Sequence, residues 1–144
     1  LQNRAVGFNL KEGHPNQVGG GKRPFHTIIP AFLMKDGQPE MSFGMMAGPM
    51  QAQGHVQLIL RMFAYGQNPQ AAADGPRWQV LEGRNVAIEE DFPADVLSQL
   101  EARGHLLHRK PRQPFFGGAQ LIYRMKDGYC GASEPRKEGQ AAGF

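Results

Sequence analysis

The sequence predicts an α+β fold, a sheet with helices packed on it, and three observations support that class. Two apolar runs, at residues 27–35 and 41–46, flank a short Asp-Gly turn, as in a β-hairpin. Residues 51–65 repeat their apolar side chains at helical spacing. Strands and helices then follow in blocks along the chain, which is typical of α+β domains.

The length and composition of the chain fit a single domain spanning residues 1–144. Its 15.9 kDa, with 40% hydrophobic and 20% charged residues, allow a sizeable core. No apolar run approaches the roughly 18 residues expected of a membrane-spanning helix. The first residues lack an initiator Met and the pattern of a signal peptide. We therefore expect a fragment or a processed subunit, and a periplasmic and a cytoplasmic location both stay open.

The charge of the chain does not point to nucleic acid. The net charge is +3 and the pI about 9.3, but the basic residues are scattered. The densest run, at 108–114, lacks aromatic residues and helical phase, so we interpret it as a solvated loop. The lone cysteine, Cys130, excludes an internal disulfide. We interpret it as a buried small apolar residue, with a nucleophile as the weaker alternative.

The first half of the chain predicts a loop, a hairpin and two helices. Residues 9–24 are rich in Gly and Pro, and a loop of this length is usually functional or mobile. The near-continuous apolarity of the hairpin strands predicts that both of their faces are covered. The helix at 51–65 is expected to bury the stripe Val56, Ile59, Leu60 and Phe63. Asn68 and Pro69 then begin a short second helix.

The second half predicts five strands and a third helix. Residues 77–81 and 85–90 read as strands around a Glu-Gly turn. The third helix starts near Pro93, ends at Gly104 and is expected to bury Val96, Leu97 and Leu100. The strands that follow it are 105–109, 119–126 and 128–132.

The side chains that most often carry chemistry form no recognised metal or nucleophile motif. The five histidines show no metal-ligand spacing, and no Gly-x-Ser-x-Gly or phosphate-binding loop occurs. We therefore predict no metal and no cofactor. The acidic run at 89–91 precedes a predicted helix, and we interpret it as a partner of the helix dipole.

Ala47 and Gly48 lie between a predicted strand and a predicted helix. Their backbone amides could point into a pocket near the positive end of the helix, as the donors of an oxyanion hole do. Taken alone, this pattern favours an ordinary strand-to-helix turn.

The order of several motifs is more informative than any one of them. The segment around Phe8, GKRPFHTIIP at 21–30 and the glycine-bearing loop at 44–48 carry the first part of a resemblance. AYGQNPQAAADGPRW at 64–78 and GASEPRKEGQAAGF at 131–144 complete it. With them, the chain resembles the C-terminal part of the small subunit of gamma-glutamyltransferases, also called gamma-glutamyltranspeptidases. This implies part of an αββα four-layer sandwich of the N-terminal-nucleophile hydrolase type.

The resemblance also implies acyl transfer by a self-cleaving precursor (a zymogen). A new N-terminal Thr would attack a gamma-glutamyl amide such as glutathione, with its own α-amine as base. That nucleophile is expected upstream of Leu1, so this chain alone is expected to be inactive. Thr27 is internal and is not that nucleophile. The expected partners are the large subunit and the N-terminal part of the small subunit, with self-association if the chain is isolated.

The family's site residues carry over to six positions. The oxyanion-hole glycines fall on Ala47 and Gly48, and the Ser-Ser pair that binds the donor's α-carboxylate falls on His26 and Thr27.

The other two positions depart from the family pattern. The acid that holds the donor's α-ammonium falls on Gly7, and a glutamine falls on Arg4. Loss of the acid makes a second hypothesis worth testing, an acylase for amine-free, glutaryl-type amides, as in related cephalosporin acylases. A surface or loop-bound role for Arg4 and a non-catalytic binding or structural module stay open as well.

Overall fold

The chain folds into two sheets and their covering helices, as seen in a computed structural model that describes residues 3–112 and 114–143. The larger sheet is antiparallel, with strand order β1-β2-β6-β7. Its strands are β1 (Ala31–Lys35), β2 (Gln38–Met46), β6 (Gly118–Met125) and β7 (Gly128–Ser133). The smaller sheet has the order β3-β4-β5, with β3 (Trp78–Val80), β4 (Asn85–Glu89) and β5 (Leu106–Lys110). The helices are α1 (Met50–Ile59), α2 (Pro69–Asp74) and α3 (Ala94–Ala102). The predicted α+β class is confirmed.

The predicted hairpin is present as β1 and β2. Asp36 and Gly37 both have positive φ, 50° and 74°, and form the two-residue loop between Lys35 and Gln38. Positive φ at both loop positions is the mark of a type I′ turn, whose twist matches that of the flanking strands. The Asp-Gly pair thus sets the register of the hairpin.

The larger sheet is covered on one face within the described residues, whereas its apolar strands predicted cover on both. Met41, Phe43 and Met45 of β2 point to the helices and are buried. Phe32, Met46 and Ile122 are on the opposite face, and each is more than half exposed. The strands therefore present a second apolar face, which the part of this chain that the structure describes leaves uncovered.

Helix α1 has nearly the predicted extent, because a π-helical turn at Leu60–Ala64 continues it to Ala64, two residues before Gly66, whose φ is +66°. The predicted buried stripe is wrong at three of its four positions: Val56 is 51% exposed, Leu60 42% and Phe63 44%. The fourth, Ile59, is half-buried and packs against the core. The buried side of the helix is instead formed by Met50, Gln51, Gly54, Gln57, Leu58 and Met62.

Two residues that hydropathy ranks low explain why the helix is turned this way. A Cβ on Gly54 would lie 1.8 Å from the Met45 sulfur, so glycine is what permits this close approach to β2. The Gln57 side chain donates to the Trp78 carbonyl (2.8 Å) and accepts from the Trp78 N–H (3.0 Å). A buried polar group that is fully paired costs little, and this pair ties α1 to β3.

The other elements largely follow the sequence. The Asn68 side chain accepts from the Ala71 N–H at 2.8 Å, which is the predicted N-cap of α2. Helix α3 connects the parallel strands β4 and β5 and buries Leu97, while Val96 and Leu100 are half-buried.

Cys130 on β7 is half-buried, less covered than its interpretation as a buried residue implied. No helix in the described ranges is long and apolar enough to cross a membrane.

The two sheets are joined by a buried charge cluster of Arg77, Glu89, Glu134 and Arg136. Arg136 contacts Glu89 at 2.5 Å and Glu134 at 2.7 Å, and Arg77 contacts Glu134 at 2.6 Å. Burial would raise the pKa of Glu134, but the Arg77 charge and the Ala119 N–H outweigh burial and lower it. Burial lowers the pKa of Arg136, but its bonds to Glu89 and Glu134 raise it overall.

The helix-dipole interpretation of Glu89 is therefore wrong. Its carboxylate lies at the end of β4, accepts from the Arg77 N–H at 2.8 Å and binds Arg136, which comes from beyond β7. The partners are 12 and 47 residues away in sequence, so the sequence offered no local sign of the cluster.

Candidate functional site

A groove of about 670 Å³ opens beside the end of β2. Its walls come from the first residues, the extended segment before β1, the β2–α1 corner, the start of β6 and the turn after β7. The lining residues are Asn3, Arg4, Thr27, Ile28, Ile29, Pro30, Gly44, Met45, Met46, Ala47, Gly48, Gln51, Gly118, Gln120 and Lys137. The groove thus collects residues from both ends of the chain.

The β2–α1 corner contributes two neighbouring residues, Ala47 and Gly48, to the lining of the groove. β2 ends at Met46 and α1 begins at Met50, so Ala47 and Gly48 belong to neither element. Their carbonyls accept from the Met50 and Gln51 amides, each at 3.1 Å. Their own N–H groups have no hydrogen-bond partner among the described residues. Fixed, unused amides at the positive end of a helix are suited to stabilise a negative oxygen.

The backbone at this corner requires glycine at only one of the two positions. Gly48 has φ of +53°, in the left-handed region, whereas Ala47 is not among the residues with positive φ. Alanine is therefore compatible with the first donor position, and glycine is favoured at the second.

His55 fixes the corner from the helix side. Its Nε2 accepts from the Met45 N–H at 3.1 Å, and its ring meets Phe43 edge-on at 5.1 Å between centroids. Burial lowers the pKa of His55, which keeps the ring neutral and Nε2 available as an acceptor. The end of β2 and the second turn of α1 are thereby held together.

Thr27 and Arg4 meet on the opposite wall. The Arg4 guanidinium donates to the Thr27 hydroxyl, and the Gln51 side chain donates to the Thr27 carbonyl. Arg4 lies in a short 3-10 turn (Arg4–Gly7), so two segments distant in sequence form this wall. Gln51, on the first turn of α1, connects it to the corner that carries the amides.

The structure brings four of the six predicted site residues to the groove: Arg4, Thr27, Ala47 and Gly48. Gly7 packs against Phe25, where a Cβ on Gly7 would lie 3.4 Å from the Phe25 Cβ. His26 is exposed and is not among the lining residues. Its neighbour Thr27 is half-buried and does line the groove.

Lys137 is a groove residue that the sequence did not indicate. It lies in a 3-10 turn after β7 and folds over β6, where a Cβ on Gly118 would lie 2.7 Å from Lys137 Cγ. Its ammonium forms no hydrogen bond or ion pair within the described ranges. The described lining therefore contains two cations, Arg4 and Lys137, and no carboxylate. Only the tertiary fold shows this, because 133 positions separate the two in sequence.

The sequence pattern that defines gamma-glutamyltranspeptidases matches residues 1–144. The chain belongs to the gamma-glutamyltranspeptidase family. It is 35% identical over its full length to a glutathione hydrolase-like proenzyme of Bacillus subtilis, and spans 29% of that protein. It is 32% identical to the oxamate amidohydrolase proenzyme of Klebsiella pneumoniae, with 99% of the chain and 28% of the relative covered.

The solved structure of a similar protein has nearly the same fold as this chain. The crystal structure of a cephalosporin acylase from Bacillus halodurans superposes with a TM-score of 0.91 at 44% identity. All of this chain and 27% of that one are covered. The predicted family and its N-terminal-nucleophile hydrolase fold are confirmed, and the chain corresponds to less than a third of these gamma-glutamyltranspeptidase relatives.

Proposed function

We propose that this chain is the C-terminal part of the small subunit of a self-processing amidohydrolase or acyltransferase of the gamma-glutamyltranspeptidase family. The observation that carries the proposal is the pair of unused amides, Ala47 and Gly48, which face the groove from a corner held by His55. An enzyme that forms an acyl intermediate needs two such donors. Relatives that are proenzymes support the proposal that the rest of the site lies in other parts of the precursor.

In the assembled enzyme, the N-terminal Thr of the processed small subunit attacks the amide carbonyl carbon. The Thr hydroxyl proton passes to its own α-amine, and the carbonyl oxygen becomes an oxyanion that accepts from Ala47 and Gly48. The C–N bond then breaks and the leaving amine takes the proton. Water or a second amine attacks the resulting ester in the same way and releases the acyl group.

The remainder of the precursor is the partner that this fold requires. The uncovered apolar face at Phe32, Met46 and Ile122 belongs to the sheet that carries the groove. In a four-layer sandwich this face packs on the second sheet, which other precursor segments supply. An isolated chain is expected to self-associate through this face.

A second candidate substrate class follows from the charges of the groove. With Arg4 and Lys137 in the lining, no carboxylate there and Gly7 at the acidic position of the family, an ammonium finds no counter-charge. A donor with a distal carboxylate and no amine, as in a glutaryl amide, fits these charges better than glutathione does. Relatives named cephalosporin acylase and oxamate amidohydrolase support this class.

The test starts from the full reading frame, expressed and examined by intact mass and N-terminal sequencing. We expect two chains, the smaller beginning with Thr upstream of Leu1. Gamma-glutamyl and glutaryl anilides are then compared by kcat/KM, and a glutaryl preference supports the second class. A single uncleaved chain without Thr, Ser or Cys at the junction contradicts the enzyme and leaves a binding or structural module.

A further inference from the structure

The segment from Phe8 to His26 is a loop, and two residues that flank it, Arg4 and Thr27, form one wall of the groove. At its stem the Arg4 guanidinium donates to the Thr27 hydroxyl, and Gly7 packs on Phe25. A loop of this length with adjoining ends is typical of segments that carry function. Its internal order therefore bears on how Arg4 and Thr27 are presented.

The first half of the loop is closed by its own backbone. The Asn9 N–H donates to the Asn16 carbonyl and the Val18 N–H donates to the Asn9 carbonyl, both at 2.9 Å. The Gln17 N–H also donates to the His14 carbonyl at 2.9 Å. We call residues 9–18 the His14 turn.

The ring of His14 adds a side-chain acceptor to the backbone bonds of this turn. Its Nδ1 accepts from the Asn16 N–H at 2.9 Å and lies 2.9 Å from the Asn9 side-chain amide. The Asn9 amide is oriented by its oxygen, which accepts from the Lys11 N–H at 3.0 Å. The Asn9 Nδ2 therefore faces the ring, and two donors point at Nδ1. The two donors share the single lone pair of Nδ1, which is available only in a neutral imidazole with its proton on Nε2.

A proton added to Nδ1 breaks this arrangement. A backbone N–H such as that of Asn16 cannot become an acceptor, and Asn9 can turn its oxygen to the ring only by losing its bond to Lys11. Among the described residues, all hydrogen-bond partners of His14 lie in this turn. Lys11 and Glu12, its charged neighbours, are exposed and form no ion pair there, and Arg4 is the charged side chain at the stem.

We infer that His14 is a pH-sensitive latch: neutral, it closes the turn at 9–18, and protonated, it releases the turn and loosens the Arg4–Thr27 wall. Histidine is the side chain whose charge changes between about pH 5 and 8. The consequence for substrate binding rests on the proposed function of the groove, whereas the opening of the loop is independent of that function.

The test is amide hydrogen exchange on the protein expressed from its full reading frame, whether or not it is cleaved, followed by mass spectrometry of a peptide covering 9–18. After correction for intrinsic exchange rates, we expect protection to fall about tenfold or more from about pH 7.5 to 5.5, since two hydrogen bonds are lost. Protection that is equal at both pH values overturns the inference, whatever the variants show.

Two variants and a control separate the latch from general acid loosening. His14→Asn places an acceptor oxygen at the position of Nδ1 and cannot be protonated there, so its protection is expected to be independent of pH. His14→Ala has no acceptor and is expected to show low protection even at about pH 7.5. His108→Asn, at an exposed histidine of β5, is expected to behave as wild type. Wild-type protection in His14→Ala, or a wild-type pH dependence in His14→Asn, overturns the inference.

Exchange is read without substrate, so it is independent of the proposed function. An enzyme without acyl-transfer activity but with a pH-dependent turn contradicts the proposed function alone. An active enzyme with a pH-independent turn contradicts the latch alone.

Discussion

Gly48 and its neighbour Ala47 show how far a single residue shapes this site. Both line the groove and have a backbone N–H without a hydrogen-bond partner among the described residues, but only Gly48 of the two has positive φ. The space around the absent Gly48 side chain is open, since no atom lies within 4 Å of the position of its Cβ. A substitution there is therefore opposed by backbone conformation and not by crowding.

We predict that Gly48→Ala lowers kcat in the processed enzyme about 100-fold, with a much smaller change in KM. The strained backbone moves one oxyanion donor, and the loss of one donor elsewhere costs about 100- to 1000-fold. The matched control is Ala47→Gly, expected to keep activity within a few-fold because the Ala47 backbone is unstrained. Equal losses in both variants would show that the corner does not act through donor geometry.

Lys137 provides a second residue-scale prediction. For an anilide whose acyl group carries a carboxylate, Lys137→Met should raise KM about tenfold and leave kcat nearly unchanged, because a counter-charge for binding is lost. Lys126→Met, at an exposed lysine of the β6–β7 turn, is the control. An unchanged KM would remove Lys137 from substrate recognition.

At the scale of elements, the packing of α1 is set by contacts of glycine, glutamine and histidine, which a hydropathy pattern does not predict to be buried. Gly54 fits against Met45, Gln57 pairs with the backbone of Trp78, and His55 accepts from the Met45 N–H. The apolar residues Val56 and Phe63 are instead partly exposed on the other side of the helix. The orientation of α1, and with it the conformation of the β2–α1 corner, follows from these specific contacts.

The His55 contact makes the stability of the folded protein depend on pH, with less stabilisation at low pH. Because burial lowers the pKa of His55 in the folded state, the unfolded chain binds the proton more readily. The stabilisation is complete above the ordinary histidine value of 6.5 and is lost as pH falls through the lower folded pKa. We predict that the Tm difference between wild type and His55→Gln narrows on acidification below that value. A difference that is constant or widens would contradict this assignment.

At the scale of the whole molecule, the charge cluster joins parts that are far apart in sequence. Arg77 precedes β3, Glu89 ends β4, and Glu134 and Arg136 follow β7. The Arg136 guanidinium also donates to the carbonyls of Ala73 and Gly75 near the end of α2. One side chain thus links both sheets and a helix, and it holds the turn that carries Lys137 to the groove.

We predict that Arg136→Met lowers the free energy of unfolding of the processed enzyme by about 3–5 kcal/mol, since the buried Glu89 loses its guanidinium partner and Glu134 loses one of two. Denaturant unfolding measures this. Arg112→Met is the control, because its pair with Asp91 is surface-exposed and worth about 0–1 kcal/mol. A loss for Arg136→Met no larger than for Arg112→Met would show that the cluster contributes little.

Glu134 makes the stability of the whole molecule fall at acidic pH. Its pKa is lowered below 4.5 in the folded state because Arg77 and the Ala119 N–H outweigh burial, so its stabilisation is present above that value. As pH falls further, the stabilisation is lost. Wild type is therefore expected to lose stability below about pH 4.5 more steeply than Glu134→Gln, in which this carboxylate cannot titrate. Parallel acid profiles would assign acid lability to other groups.

The sequence by itself determined the local elements and the family. The Asp-Gly hairpin, the Asn68 cap, the extent of α1 and the order of motifs all depend on residues that are near in sequence, where turn chemistry and periodicity act. Only the tertiary structure decided which face of α1 is buried, that Glu89 is a buried ion-pair partner and that Lys137 reaches the groove with Arg4. The physical reason is that these outcomes depend on the close fit of Gly54 and on pairing of charges and polar groups between segments dozens of residues apart. Neither leaves a periodic signal in the chain.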